Sequence, residues 1–142
     1  MNIKNNNLAE RYSLYSFTDD RGKLIALEAY NQIPIKILRT YFIIASDKNT
    51  SRGFHAHRQL NQVAVCISGN CKIEFDNGSY KETHILNKPD TAIEIRPMIW
   101  HELHELSSDC ILAIFADDIY KESDYIRNYD DFIKIVSDQK ND

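Results

Sequence analysis

The chain is short of residues that break or staple a fold. Its 142 residues include 4 glycines and 3 prolines, too few for a flexible or low-complexity linker. Three cysteines, Cys66, Cys71 and Cys110, are an odd and sparse set that does not make a disulfide framework. Cys66 and Cys110 sit in apolar runs and are expected as buried thiols. Long apolar runs are missing too. The longest, residues 110–116, is seven residues, against about 20 for a membrane-spanning helix. Residues 1–7 lack the apolar stretch of a secretory signal. Nor is there an excess of one charge. With 17 Lys and Arg against 21 Asp and Glu the net charge is −4. That argues against a broad nucleic-acid-binding face and gives no support for adsorption to anionic membranes. The expectation is a cytoplasmic protein with neither nucleic acid nor membrane as partner.

What is present describes a globular chain. Hydrophobic residues make up 43% and charged residues 27%, ordinary values for a packed domain. The length suits a single domain over 1–142. Strand signals dominate: residues 24–28, 36–45, 61–68, 71–75, 80–86, 91–96 and 110–116 are rich in β-branched and aromatic side chains or alternate in polarity. Asp76-Asn77-Gly78 reads as a hairpin turn. Short strands at this spacing, with no helical period between them, suggest a sandwich or closed barrel. Only the tail looks helical. Over residues 123–136, Ile126, Tyr129, Ile133 and Val136 fall near one stripe.

The sharpest local feature is Arg52-Gly53-Phe54-His55-Ala56-His57. Residues i and i+2 of a strand share a face, so His55 and His57 project two imidazoles to one side. Such a pair suits metal ligation or proton transfer near neutral pH; it also occurs as two surface or hydrogen-bonded histidines. Gln62, Gly69 and the turn Arg96-Pro97-Met98-Ile99-Trp100-His101-Glu102 follow. The whole resembles the cupin superfamily: His-x-His, a carboxylate a few residues on, a turn glycine, then a second motif with a proline and a third histidine. This implies an all-β, double-stranded β-helix (jelly-roll) barrel with a short C-terminal helix. Two positions depart from the pattern. Gln62 stands where the carboxylate belongs. Aligning Pro97 puts Glu102 at the third-histidine position, with His101 one residue off. A neutral glutamine is a poor transition-metal ligand, so the metal site reads as lost.

A second resemblance covers nearly the whole chain. It rests on Arg39-Thr40-Tyr41, the segment 52–57, Leu60-Asn61-Gln62, Ser68-Gly69, the turn with Pro97, Ile99, Trp100 and Glu102, and the tail from Tyr120 to Tyr129. With these residues the chain resembles the nucleotide-sugar 3,4-ketoisomerases that act on dTDP-4-keto-6-deoxyglucose. The resemblance implies a metal-independent cupin without cofactor, a homodimer that exchanges N-terminal strands, and a product used for 3-amino-3,6-dideoxyhexoses of bacterial surface glycans. It implies His55 as base, His57 as the group that orients, shuttles protons or stabilises charge, and Tyr41 as donor or proton relay. Arg39 and Arg52 suit the substrate's pyrophosphate through charge-assisted bidentate bonds. Asn61, Gln62 and Trp100 are expected to line the sugar or thymine pocket. His84 reads as a surface or edge residue, and His101 and His104 are not expected as ligands. Asp117, Asp118, Asp130 and Asp131 read as a solvated face. A dTDP-sugar epimerase on the same barrel and a non-enzymatic ligand-binding cupin are the alternatives.

Overall fold

A computed structural model describes residues 7–48 and 50–141; apart from Asn7, the opening segment weighed above for a signal lies outside them. The strands are β1 Arg11–Ser13, β2 Tyr15–Asp19, β3 Gly22–Ala26, β4 Arg39–Ile44, β5 Arg52–His57, β6 Gln62–Ser68, β7 Cys71–Asp76, β8 Lys81–Leu86, β9 Thr91–Ile95, β10 Trp100–His104, β11 Ile111–Ala116 and β12 Tyr125–Ile126. One helix, α1 Tyr129–Lys140, closes the chain. Two five-stranded sheets carry the fold, in the orders β1-β9-β6-β11-β4 and β12-β5-β10-β7-β8, and β2 and β3 form a separate hairpin. Every strand pair is antiparallel. This is the expected jelly roll with its C-terminal helix.

Burial explains the sequence pattern. Inward residues of the first sheet (Ala64, Cys66, Ile93, Leu112, Ile114) pack against those of the second (Cys71, Ile73, Phe75, Leu103). Val63, Val65 and Ala92, on the opposite face of the first sheet, are covered by Leu14, Ile25, Leu27, Ile33, Ile35 and Ile37. Strands β6 and β11 are therefore apolar on both faces and read as unbroken hydrophobic runs. The outer face of the second sheet is covered by α1, where Phe132 and Val136 meet Ala56, Trp100 and Ile126. The three cysteines are buried and free, with the sulfurs of Cys66 and Cys110 4.0 Å apart.

Two expected boundaries move. The strand expected from residue 36 begins at Arg39, because Ile35 and Ile37 cross the outer face of the first sheet instead of pairing. The helix expected over 123–136 starts at Tyr129. Asn128 caps it by accepting from the Asp131 N–H at 3.0 Å, and Ile126 pairs with Ala56 as a strand residue. The turn after β7 is as read: Gly78 has φ +91°, and its amide donates to Asp76 Oδ1 at 2.7 Å. Among the described residues no helix is long and apolar enough to cross a membrane.

Candidate active site

Strand β5 sets the geometry. Gly53 (φ +89°) and Phe54 (φ +59°) both have left-handed backbone, and the β5–β10 register slips between His101 and Glu102. This is a β-bulge. A Cβ at Gly53 would lie 2.9 Å from the His101 carbonyl oxygen, so the close approach and the positive φ both call for glycine. The bulge also turns the Gly53 carbonyl toward its own strand, where it accepts from His55 Nδ1 at 3.1 Å. A carbonyl only accepts, so the Nδ1 of His55 carries the proton and Nε2 keeps a lone pair.

His57 is fixed in the same sense by another element. Its Nδ1 donates to Asp124 Oδ2 at 3.1 Å. Asp124 ends a 3-10 turn, Glu122–Asp124, and accepts from the amides of Gln59 (2.8 Å) and Leu60 (3.3 Å). The third ring is His101, opposite His55 on β10. The centroids of His55 and His57 are 4.9 Å apart, and those of His55 and His101 4.5 Å. His57 is 2% exposed and His101 4%. Burial pushes all three imidazoles below the usual histidine range. His57 falls to about 4, helped by charge on His55. His101 is driven well down by burial and by both neighbours. His55 is lowered by burial, and its bond to Gly53 opposes the shift. The site therefore holds three neutral rings at pH 7.

Tyr41, on β4, completes the inner end. Its hydroxyl donates to Gln62 Oε1 at 2.6 Å. Burial raises its phenol to about 12, so it stays protonated. His55, His101 and Tyr41 open into a cavity of about 400 Å³ lined also by Arg39, Arg52, Tyr120, Tyr125 and Arg127, among others, while His57 is buried behind His55 and is not part of the lining. The arginine head of Arg39 lies 4.9 Å from the Tyr41 ring and 5.6 Å from the Tyr120 ring, and its Nε is buried without a partner. Arg52 lines the same wall, and its guanidinium has no hydrogen-bond or ion-pair partner among the described residues.

Several expectations need correction. His101, not Glu102, takes the third position. On β10 the side chains alternate: His101 and Leu103 face the cavity, while Trp100, Glu102 and His104 face away. Glu102 accepts from Trp100 Nε1 and pairs with His104, both at 2.8 Å. Trp100 is core and lies outside the cavity lining, packed on Tyr129 and Phe132 of α1 at 5.2 and 5.8 Å. Asn61 is turned to Asp117, bonding Oδ2 at 2.9 Å, so Asp117 is a structural acceptor and not a free surface charge. Gln62 is buried behind Tyr41 and reaches the cavity only through it. His84 sits on the edge strand β8, paired with Glu82 at 2.5 Å, and His104 takes no part in the cavity, as expected for both.

One nitrogen from each of His55, His57 and His101 lies within 4.8 Å of the others, and among the described residues these three are the group that could hold a metal ion. The donor set is three neutral imidazoles with no carboxylate among them. At the remaining cupin position, the Gln62 oxygen is already occupied by Tyr41. The arrangement supplies what proton transfer needs: a neutral imidazole with a fixed tautomer at the cavity wall, and a protonated phenol lining the same cavity.

Residues 7–137 match the family model described as "FdtA: WxcM-like, C-terminal". The chain belongs to this family. It is 42% identical to the TDP-4-oxo-6-deoxy-alpha-D-glucose-3,4-oxoisomerase of Aneurinibacillus thermoaerophilus over 119 residues, 84% of this chain and 86% of that one. A QdtA 3,4-ketoisomerase variant from Thermoanaerobacterium thermosaccharolyticum, solved in complex with TDP, superposes with a TM-score of 0.89 at 34% identity, covering 93% of this chain and 96% of the other. The WlaRB TDP-quinovose 3,4-ketoisomerase of Campylobacter jejuni gives 0.84 at 39% identity, covering 93% and 99%.

The tail supplied cavity residues that received no role from sequence: Tyr120, Tyr125 and Arg127 line the wall, and Asp124 orients His57. The pattern Tyr120 to Tyr129 was visible as a motif, but nothing local says that it folds back onto β5. His101 could have been found from alternation on a strand entered at Trp100, once that stretch is read as a strand and not a turn.

Proposed function

We propose that this chain is a TDP-sugar 3,4-ketoisomerase that moves the ketone of TDP-4-keto-6-deoxyglucose from carbon 4 to carbon 3. The observation that carries the reading is the neutral His55, its tautomer set by Gly53, facing a cavity it shares with protonated Tyr41. Family membership and the names of the relatives supply the substrate class.

The reaction is a net shift of two protons, one from carbon 3 to carbon 4 and one from the oxygen on carbon 3 to the oxygen on carbon 4. The hydrogen on carbon 3 is acidified by the neighbouring ketone. His55 Nε2 removes it, and the electron pair forms a carbon 3–carbon 4 double bond as charge moves to the oxygen on carbon 4. Tyr41, and His57 oriented by Asp124, stabilise or relay that charge. Carbon 4 then takes up a proton, the carbon 3 hydroxyl gives up its proton as carbon 3 becomes the carbonyl, and the oxygen on carbon 4 takes up a proton to become a hydroxyl. Atoms and electrons balance within the sugar, and no redox cofactor takes part. Arg39 and Arg52 hold the pyrophosphate. The product feeds 3-amino-3,6-dideoxyhexose synthesis for surface glycans in the cytoplasm.

The chain works as one domain and as a homodimer exchanging N-terminal strands. What supports a second copy is the β2–β3 hairpin, which exposes Tyr15, Phe17 and Leu24 (54%, 57% and 61%), an apolar group unusual for a free surface.

The test is product analysis by NMR after incubation with TDP-4-keto-6-deoxyglucose. A migrated ketone supports the reading. Inverted ring carbons with the ketone still at carbon 4 would make the chain an epimerase, and unchanged sugar would leave a binding cupin. Activity that survives exhaustive chelation supports the metal-free mechanism; loss on chelation, restored by metal, would overturn it.

A further inference from the structure

The cavity mouth holds a third arginine, and a carboxylate of the chain already occupies it. Arg127 Nε donates to Glu122 Oε1 at 2.7 Å and Nη2 to Oε2 at 2.9 Å, the two-pronged match that a guanidinium makes with a carboxylate or a phosphate. The Tyr120 hydroxyl also donates to Glu122. The guanidinium carbon lies over the Tyr125 ring, 4.0 Å from its centroid, and Tyr125 in turn packs on His55 and His57 at 4.9 and 4.4 Å. Arg127 is thus anchored to the catalytic wall by stacking, while its hydrogen-bonding edge faces a partner that costs little to displace. Both side chains are more than half exposed, and exposed ion pairs contribute little to stability.

Charge balance around the cavity points the same way. Arg39, Arg52 and Arg127 line it, and no carboxylate does. Arg39 has a buried unpartnered Nε, the Arg52 guanidinium has no partner among the described residues, and of the three only Arg127 is neutralised. Neutralising it prevents three cations from facing one another across an empty cavity. It also means that an entering diphosphate and Glu122 want the same guanidinium.

We infer that Arg127 is a third arginine of the diphosphate subsite, and that Glu122 is an internal counter-ion which the ligand's diphosphate displaces from it. This rests on the nucleotide-sugar reading above and adds an affinity-setting residue to it. Arg127 contacts the ligand; Glu122 acts only through Arg127. Removing the guanidinium weakens diphosphate binding, and neutralising the counter-ion strengthens it.

The experiment is calorimetric titration with TDP and with thymidine, on the full chain and on Arg127→Met, Glu122→Gln and the double variant. Both residues are at the surface, so the variants keep the fold, which circular dichroism checks. Arg127→Met should weaken TDP binding about tenfold or more, the range for a hydrogen bond to a charged group, and leave thymidine unchanged. Glu122→Gln should tighten TDP severalfold, and this gain should vanish in the Arg127→Met background. In turnover, Arg127→Met should raise KM with kcat preserved. TDP affinity unchanged in Arg127→Met would overturn the subsite. A Glu122→Gln gain that persists without Arg127 would reduce Glu122 to a general field effect and overturn the displacement. Failure of the unaltered protein to bind TDP would instead sink the nucleotide-sugar reading, and this inference with it.

Discussion

At the scale of the residue, the protein keeps imidazoles neutral by burying them. A base must be unprotonated to accept the carbon 3 hydrogen, and burial lowers the pKa of His55. The acid limb of kcat/KM therefore falls below pH 6.5, the usual histidine value, and a pH–rate profile checks it. Protonated Tyr41 adds no alkaline limb until near 12. The same burial affects stability. The unfolded chain protonates His57 near 6.5, whereas the native state does so only near 4. Between those values the unfolded state binds more protons, so stability falls as pH drops from 6.5 to 4. Denaturant melts across that window should show the decline; a flat profile would mean that His57 titrates normally. His55 and His57 could be picked out from sequence because period-two alternation puts them on one face of a strand; Tyr41, on another strand, came only from the family resemblance. His101 was missed because its polar stretch reads as a turn; alternation would have shown it only once Trp100–His104 is read as a strand.

At the scale of the element, the bulge in β5 is the device that fixes the tautomer of His55, the proposed base. Gly53 has to turn left-handed, admit β10 within 2.9 Å of where a Cβ would stand, and lend its carbonyl to His55. Gly53→Ala should cost about 1–3 kcal/mol of stability through the strained φ and lower kcat as His55 loses its orientation. Equilibrium unfolding and steady-state kinetics read the two effects, and an unaffected kcat would separate the bulge from the chemistry. Most strands were legible from hydrophobic runs because β6 and β11 are buried on both faces. The tail was legible only as helix. A stripe containing Ile126 and Val136 fits a helix, but pairing with Ala56 pulls Ile126 into the sheet. That long-range contact brings Asp124 to His57, which no local pattern specifies.

At the scale of the whole molecule, two covered sheets leave one end open as the cavity and one hairpin uncovered. The acidic overall charge hides a cavity where three arginines converge, so bulk composition was silent on the local basic lining, and the fold class came from the strand pattern. If the exposed β2–β3 hairpin is buried by a second copy, sedimentation should give twice the 16.6 kDa of one chain. Phe17→Glu should shift the population toward monomer, because a charge would replace a large apolar side chain at the contact. A single-chain mass at micromolar concentration would contradict the strand-exchanged dimer.

The central claim is that His55 removes the hydrogen from carbon 3, and proton NMR in deuterium oxide with TDP-4-keto-6-deoxyglucose tests it most directly. The unaltered protein should erase the carbon 3 proton signal as the ketone migrates and place deuterium at carbon 4. Folded His55→Asn should lose this by about 10²-fold or more. Exchange at a normal rate in His55→Asn would contradict the account.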